Sequence, residues 1–426
     1  MKKLIFIIFC YFQLSAVMAS NDFLKNDLEV LKDLDIESSY IKDDKFQTFY
    51  ESFSKKNEKH YVNNMSRGEK YIPEISRILK KNNVPSVFLY MAMAESNFVL
   101  EAQSNRKALG LWQFMPGTAS EMGLKKNKYI DERMDFIKST EAAAKYLSKL
   151  HGVFGSWYLA ALSYNCGDGR LTEGLTRATI DMYCRQNDCN NNPKIQRYKK
   201  TLKDYSSGRA SYKDVNAIYQ DVKTWNYKPG INDLLTDYKG SSGPYIPKES
   251  KNYIKKIISL AMMNNNGPAN KFNNFGVAGS SSQLVRVEAG SGMMLKNIAN
   301  LAGVTPEKLK QLNPHLKGSE TSPSESGTQI YIPTAKLNQY NENKRNAKNN
   351  ASDKIKDISI VKEVKTIKDD VENIESDYLK FYTIQKNDNL YRVAKEHGMT
   401  MEKVMQDNNM KTSKVKPGDK IVIKLK

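Results

Sequence analysis

Apolar residues recur at helical spacing through the first part of the chain and at strand spacing in short runs toward its end. From Tyr71 to Leu175 the pattern is helical almost throughout. In the helix expected to begin near Ser86, Phe88, Met91, Ala92 and Glu95 fall at i, i+3, i+4 and i+7, so one carboxylate shares a stripe that should face the core. "STEAAAKYLSKL" sets Ala143, Tyr146, Leu147 and Leu150 on one face, with Ser139 or Thr140 as a cap. "GSWYLAALSYNCGDGR" aligns Trp157, Ala160, Ala161 and Tyr164, and "PYIPKESKNYIKKIISLAMM" closes the helical region near residue 264. Two stretches stand apart. Residues 20–64 are polar with scattered apolar positions and read as one or two surface helices without a functional signal. Residues 184–230 are polar, Lys-rich and broken by Gly, and read as an insertion.

The later segments change period. "FYTIQ" predicts a strand, "NLYRVAKEHG" a helix with Leu390, Val393, Ala394 and His397 on one face, and "TMEKVMQDNN" a second helix. "KIVIKL" is a closing strand with Ile421, Ile423 and Leu425 on one side, and Pro417-Gly418 before it suits a type II turn. "LVRV", "MLKNIANLAG", "TPEKLKQLNP" and "TQIYIP" repeat the order earlier, so two β-α-α-β units are expected. The predicted organisation is therefore an N-terminal extension (20–64), a helical domain (65–264), a linker (265–283), a unit at 284–333, a charged flexible connector (334–378) with some helix expected around 354–375, and a unit at 379–426.

Length agrees with this division, because 426 residues exceed what one compact core organises. The net charge of +19 comes from Lys spread along the chain and reads first as a solvated basic surface. Such a field favours encounter with anionic polymers or membrane surfaces, and no nucleic-acid motif accompanies it. "MKKLIFIIFCYFQLSAVMAS" pairs Lys2 and Lys3 with an apolar run and small residues, which predicts an export signal over residues 1–19, cleaved after Ala19. An uncleaved anchor is the alternative. Cys10 lacks the small neighbours of a lipidation signal. Export to a bacterial periplasm or cell envelope permits disulfides. Cys184 and Cys189, in "CRQNDC", are expected to close a small loop with Cys166 left reduced; pairing of Cys166 with either is the alternative. Metal binding is the weaker reading of these cysteines, and no cofactor is implied.

Why, then, is a carboxylate on the apolar stripe? Burial and the nearby helix C-terminus both favour the neutral acid, so Glu95 is suited to serve as a general acid for glycosidic-bond cleavage. A structural Glu that turns to solvent or pairs with Lys is the bland alternative. Tyr164 should be a buried phenol that needs a partner, which a carboxyl would supply. "ALGLWQFMP" offers Trp112 as an aromatic surface for a sugar ring beside the Gln113 amide. Each feature alone fits core packing. Together they describe a carbohydrate cleft.

"ESNF", "ALGLWQFMPGTA", "LSYNCGDGR" and "IPKESKNYIKKI" occur in the order and spacing of the lytic transglycosylase catalytic domain, which the region 67–264 resembles. The β-α-α-β units resemble LysM modules, the 381–425 unit well and the 284–333 unit in degenerate form. The resemblance implies a mainly α, lysozyme-like catalytic fold and peptidoglycan glycan strands as substrate. It implies Glu95 as catalytic acid/base with Ser96 supporting the site. It further implies Gln113 and Met115 lining a glycan cleft, Tyr164 hydrogen-bonded to Glu95, and Asn165 on substrate. The chain departs from the family in carrying Cys166 where a small Ala is usual, in the longer 184–230 stretch, and in lacking the lipid-attachment cysteine of many relatives. Two rivals remain: a goose-type lysozyme that uses water as nucleophile, and a non-catalytic glycan-binding protein. Glu101 and Asp168 are the nearby second carboxylates in sequence.

Overall fold

The computed structural model describes residues 27–236, 243–266, 283–323, 327–351, 379–385, 388–396, 399–408, 410 and 412–424. The expected export signal therefore lies outside the described residues, as do most of the 265–283 linker and residues 352–378 of the charged connector.

The helical domain runs α1 (27–33), a 3-10 turn (Ser38–Lys42), α2 (Asp44–Gly68), α3 (Ile72–Lys81), α4 (Phe88–Ser96), α5 (Pro116–Glu121) and α6 (Phe136–Phe154). It continues with α7 (Trp157–Cys166), α8 (Asp168–Cys184), α9 (Pro193–Ser206), α10 (Tyr212–Val222), α11 (Ile231–Leu235) and α12 (Lys248–Asn266). Local chemistry starts these helices where it should. Asp43 accepts from the Phe46 amide at the head of α2, and Asp135 accepts from those of Ile137 and Lys138 at the head of α6. α4 sits at the centre, with Phe88, Leu89, Met91, Ala92 and Met93 all buried. α12 closes over it, packing on α2, α4 and α7. The N-terminal stretch is more than surface: Tyr40, Phe46, Tyr61 and Met65 belong to the same core, so α2 is a structural member of this domain.

Residues 184–230 form a satellite with its own apolar centre, in which Ile180 of α8 meets Ile195, Leu202, Val215, Ile218 and Val222. Cys184 and Cys189 are bonded across a Cα separation of 5.4 Å, and Cys166 is free and half-buried.

The first β-α-α-β unit comprises β1 (Leu284–Ala289), α13 (Leu295–Ala302), α14 (Pro306–Leu312) and β2 (Thr328–Pro333). β1 and β2 pair antiparallel from Leu284↔Pro333 to Ala289↔Thr328. Two findings revise the sequence reading. The connector does not begin at 334: a 3-10 turn (Thr334–Lys336) leads into a helix, α15 (Leu337–Ala351), which lies on the unit. Tyr340 of α15 is buried and donates to the Glu288 carbonyl at 3.3 Å, and the Asn343 amide donates to Leu301 O at 3.0 Å. The unit also packs on the helical domain as part of one compact body. The Tyr331 hydroxyl donates to Asp135, the cap of α6, at 2.6 Å, and its ring lies 4.7 Å from that of Phe136. Backbone bonds join Asp131 N to His315 O and Lys317 N to Tyr129 O. The sequence hides both contacts because polar groups, caps and loop backbone make them.

The second unit is described by itself. β3 (Leu379–Thr383) pairs antiparallel with β4 (Lys420–Lys424), and helices at Leu390–Glu396 and Met401–Asp407 cover them. Ile384, Leu390, Val393, Ala394, Val404 and Ile421 form its core. Gly418 has φ +97° at the third position of the turn closed by Asp419 N to Lys416 O, as a type II turn requires. His397 and Leu425, expected on the apolar faces, lie outside the described residues.

Candidate active site

Glu95 projects from the last turn of α4 into an open cleft of about 370 Å³. The cleft is lined by Phe49 and Phe53 of α2, Ala94 and Glu95 of α4, Asn165 of α7, and Glu249, Asn252, Tyr253 and Lys256 of α12. The four α12 residues fall at i, i+3, i+4 and i+7, so they share one helix face, while Ile254, Ile257 and Ile258 hold the helix to the core. That spacing is visible in "KESKNYIKKI" and is the signal by which Tyr253 and its neighbours could have been found from sequence.

The carboxyl of Glu95 is half-buried and accepts from the Tyr253 hydroxyl at 2.5 Å. Burial pushes its pKa up to about 7, against the pull of the Tyr253 hydrogen bond and the Lys256 charge, and the Glu249 carboxylate pushes the same way as burial. Lys256, whose own pKa burial lowers, donates to the Ala94 carbonyl at 2.7 Å. Glu95 is therefore an acid that exists in both protonation states near neutral pH. That is what a group needs in order to give up a proton in one step and recover it in the next.

The turn after Glu95 is held in a costly shape. Asn97 and Phe98 have φ of +52° and +58°, and Gln113 has φ +48°; Asn adopts this region readily, whereas Phe98 is kept there by a buried ring against Gly68. Opposite, the Gly110 turn fits beneath Arg133, where a Cβ would lie 1.8 Å from Arg133 O. Arg133 is itself locked by a buried ion pair to Asp131 at 2.8 Å and donates to Lys107 O and Phe114 O.

The residues expected from sequence separate into two groups. Glu95 and Asn165 meet in the cleft, with the Asn165 amide oxygen taking a hydrogen bond from Ser250 at 2.7 Å. Ser96 is buried and donates back to Ala92 O at 3.1 Å, which turns it away from the cleft. Gln113 uses its amide on Ala102 O and Gly110 O, at 2.7 and 2.9 Å, to brace the turn. Met115 is exposed at the start of α5, and neither it nor Gln113 belongs to the cleft lining. The expected Tyr164–Glu95 hydrogen bond is absent: Tyr164 donates to Trp112 O at 2.7 Å, and Tyr253 takes that place on Glu95. Burial raises the pKa of the Tyr164 phenol well above its usual value, and the nearby Glu95 charge pushes the same way. Trp112 is wholly buried, with its indole N–H on Thr140 at 2.9 Å, so it offers no surface to a sugar. Glu101 and Asp168 are exposed, and the second carboxylate of the cleft is Glu249. Among the described residues no group of three or more His, Cys, Asp or Glu is placed to hold a metal ion.

Residues 73–180, which carry Glu95 and Asn165, match the family described as "Transglycosylase SLT domain". Residues 283–349 match "Lytic transglycosylase MltD, LysM-like domain" and residues 382–424 match "LysM domain". The chain carries an SLT domain and two LysM-type modules. The mainly α architecture expected from sequence is thus the observed one, and the first module's match extends into α15, as its packing does. Over 372 residues the chain is 26% identical to "Membrane-bound lytic murein transglycosylase D" of Escherichia coli (strain K12), and equally to the protein of that name from Escherichia coli O6:H1. The match covers 86% of this chain and 66% of each relative, so the chain spans just under two thirds of their length. "Peptidoglycan transglycosylase gp16" of Escherichia phage T7 is 42% identical over 83 residues, 19% of this chain and 6% of that one. Among the described residues no helix is long and apolar enough to cross a membrane.

Proposed function

We propose that the protein is a peptidoglycan lytic transglycosylase that cleaves the β-1,4 bond between N-acetylmuramic acid and N-acetylglucosamine. The observation that carries this reading is Glu95: one carboxyl with a pKa of about 7, fixed by Tyr253 in an open cleft of the SLT domain. Protonated Glu95 donates to the glycosidic oxygen as the bond from muramic acid C1 breaks, and charge builds on the ring. The carboxylate then takes the proton of the muramic acid 6-hydroxyl, whose oxygen closes on C1. Products are a free 4-hydroxyl on N-acetylglucosamine and a 1,6-anhydromuramic end, with no water consumed and Glu95 protonated again. An internal nucleophile explains how one catalytic carboxyl suffices where most glycosidases use a pair. Tyr253 is a positioning residue that fixes which oxygen faces substrate.

The names of the relatives support a murein substrate, and the LysM-type modules support attachment to it. A cell-wall polymer as substrate and the basic-then-apolar first residues support an envelope location.

A second reading has one observation in its favour. Glu249 lines the same cleft and could activate water, which would make the protein a hydrolase. Mass spectrometry of soluble products from purified sacculi separates the two. Internal attack leaves ends lighter by one water than the reducing ends of hydrolysis.

A further inference from the structure

The cleft has an aromatic wall that comes from outside the SLT match. Phe49 and Phe53 lie one turn apart on α2, whereas the matched residues begin at 73. Their rings are 5.6 Å apart at an interplanar angle of 10°, an offset parallel stack that holds the pair as one aromatic unit. Both are half-buried and both line the cleft with Glu95. Phe53 packs in part on the core, which fixes the platform; Phe49 rests on Phe53, with the Lys255 ammonium 5.7 Å from its ring centroid. Core formation does not account for Phe49. The inward stripe of α2 is already supplied by Phe46, Tyr61 and Met65, and Phe49 sits at its edge on a helix otherwise rich in Lys, Asn and Glu.

We infer that Phe49 and Phe53 form a sugar-stacking platform that holds one pyranose ring of the glycan strand beside Glu95. The chemistry matches. The C–H face of an N-acetylated hexose is apolar and about the size of one phenyl face, and aromatic side chains bury such a face with little entropy to lose. Around the platform, Asn252, Asn165, Glu249 and Lys256 offer the polar groups that ring hydroxyls and acetamido groups need. On this view α2, which the sequence marks as a silent extension, is one side of the substrate site and sets where along the strand cleavage falls.

The inference rests on the glycan-cleaving reading, and its test separates the two. Steady-state kinetics of the intact protein on soluble, uncrosslinked glycan strands should show KM raised about tenfold for Phe53→Ala and for Phe49→Ala, equivalent to about 1.4 kcal/mol of lost binding. kcat should stay within about twofold, because neither ring touches the reacting atoms. Phe53→Trp should keep KM near wild type, whereas Phe53→Leu, apolar but not flat, should behave like Phe53→Ala. Thermal melting of each variant identifies loss of fold, and the Phe49 variants, remote from the core, supply the answer if those at Phe53 melt early. Wild-type KM in Phe49→Ala, or rescue by Leu as good as by Trp, overturns the platform while leaving the proposed function intact. A wild-type protein that neither binds nor cleaves the strands overturns both.

Discussion

Replacing Tyr253 by Phe should move the pH dependence of the enzyme upward. The Tyr253 hydroxyl donates to Glu95 at 2.5 Å and stabilises the charged carboxylate, so it holds the Glu95 pKa down while burial drives it up to about 7. A hydrogen bond to a charged group contributes about 1.5–3 kcal/mol, or about 1–2 pKa units. Water can enter an open cleft and replace part of it, so we expect the lower end, about one unit. In the proposed mechanism cleavage needs protonated Glu95, so the rate should fall as pH rises through that pKa. At pH 8 the wild type should keep about a tenth of its maximal rate, and Tyr253→Phe about half of its own. The maximal rate itself should fall about tenfold, because the carboxyl loses its fixed orientation. Glu249→Gln supplies the opposite sign: it removes a like charge, which should move the limb down by about 0.5 unit. The assay is release of soluble muropeptides from purified sacculi between pH 5 and 9. A Tyr253→Phe limb that stays put or falls would refute the assignment of that limb to Glu95.

Glu95→Gln should stabilise the protein in base. The folded pKa of about 7 exceeds the ordinary 4.5, so the folded state holds more protons between those values and wild-type stability falls as pH rises through that window. After allowance for partial solvent access the gain should be about 1–2 kcal/mol at pH 8 and near zero below pH 4.5, read by thermal melting. Tyr331→Phe leaves buried Asp135 with one donor fewer and should cost about 1–2 kcal/mol in the joint melting of the SLT domain and first module. Deleting 379–426 should weaken sacculus binding in pelleting assays while leaving cleavage of short soluble glycans unchanged, since tethering acts through local concentration.

Much of the site was legible because helix periodicity reports orientation. Glu95 stands in phase with Phe88, Met91 and Ala92, and that alone aims it at the interior. Periodicity does not report what lies across the gap. Tyr164 and Tyr253 are both inward-facing phenols, and only the packing of α12 over α4 decides which one reaches the carboxyl. Trp112 misled for a related reason: a Trp in a Gly turn can face a ligand or fill a core, and Thr140, 28 residues on, settles it by accepting the indole N–H. The α15 helix was missed because its stripe consists of little more than Leu337 and Tyr340, with polar hydrogen bonds completing the contact. Glu249, Asn252 and Lys256 were missed because polar residues in phase on a helix ordinarily mark a solvated face.

The most direct test of the account is Glu95→Gln on purified sacculi at neutral pH, with products read by mass spectrometry. Gln keeps the size of the side chain and an oxygen for Tyr253, and removes only the titrating proton. We expect a folded protein that still pellets with sacculi, a rate reduced by ~10² or more, and, from the wild type alone, 1,6-anhydromuramic ends. Undiminished release of muropeptides by Glu95→Gln would contradict it.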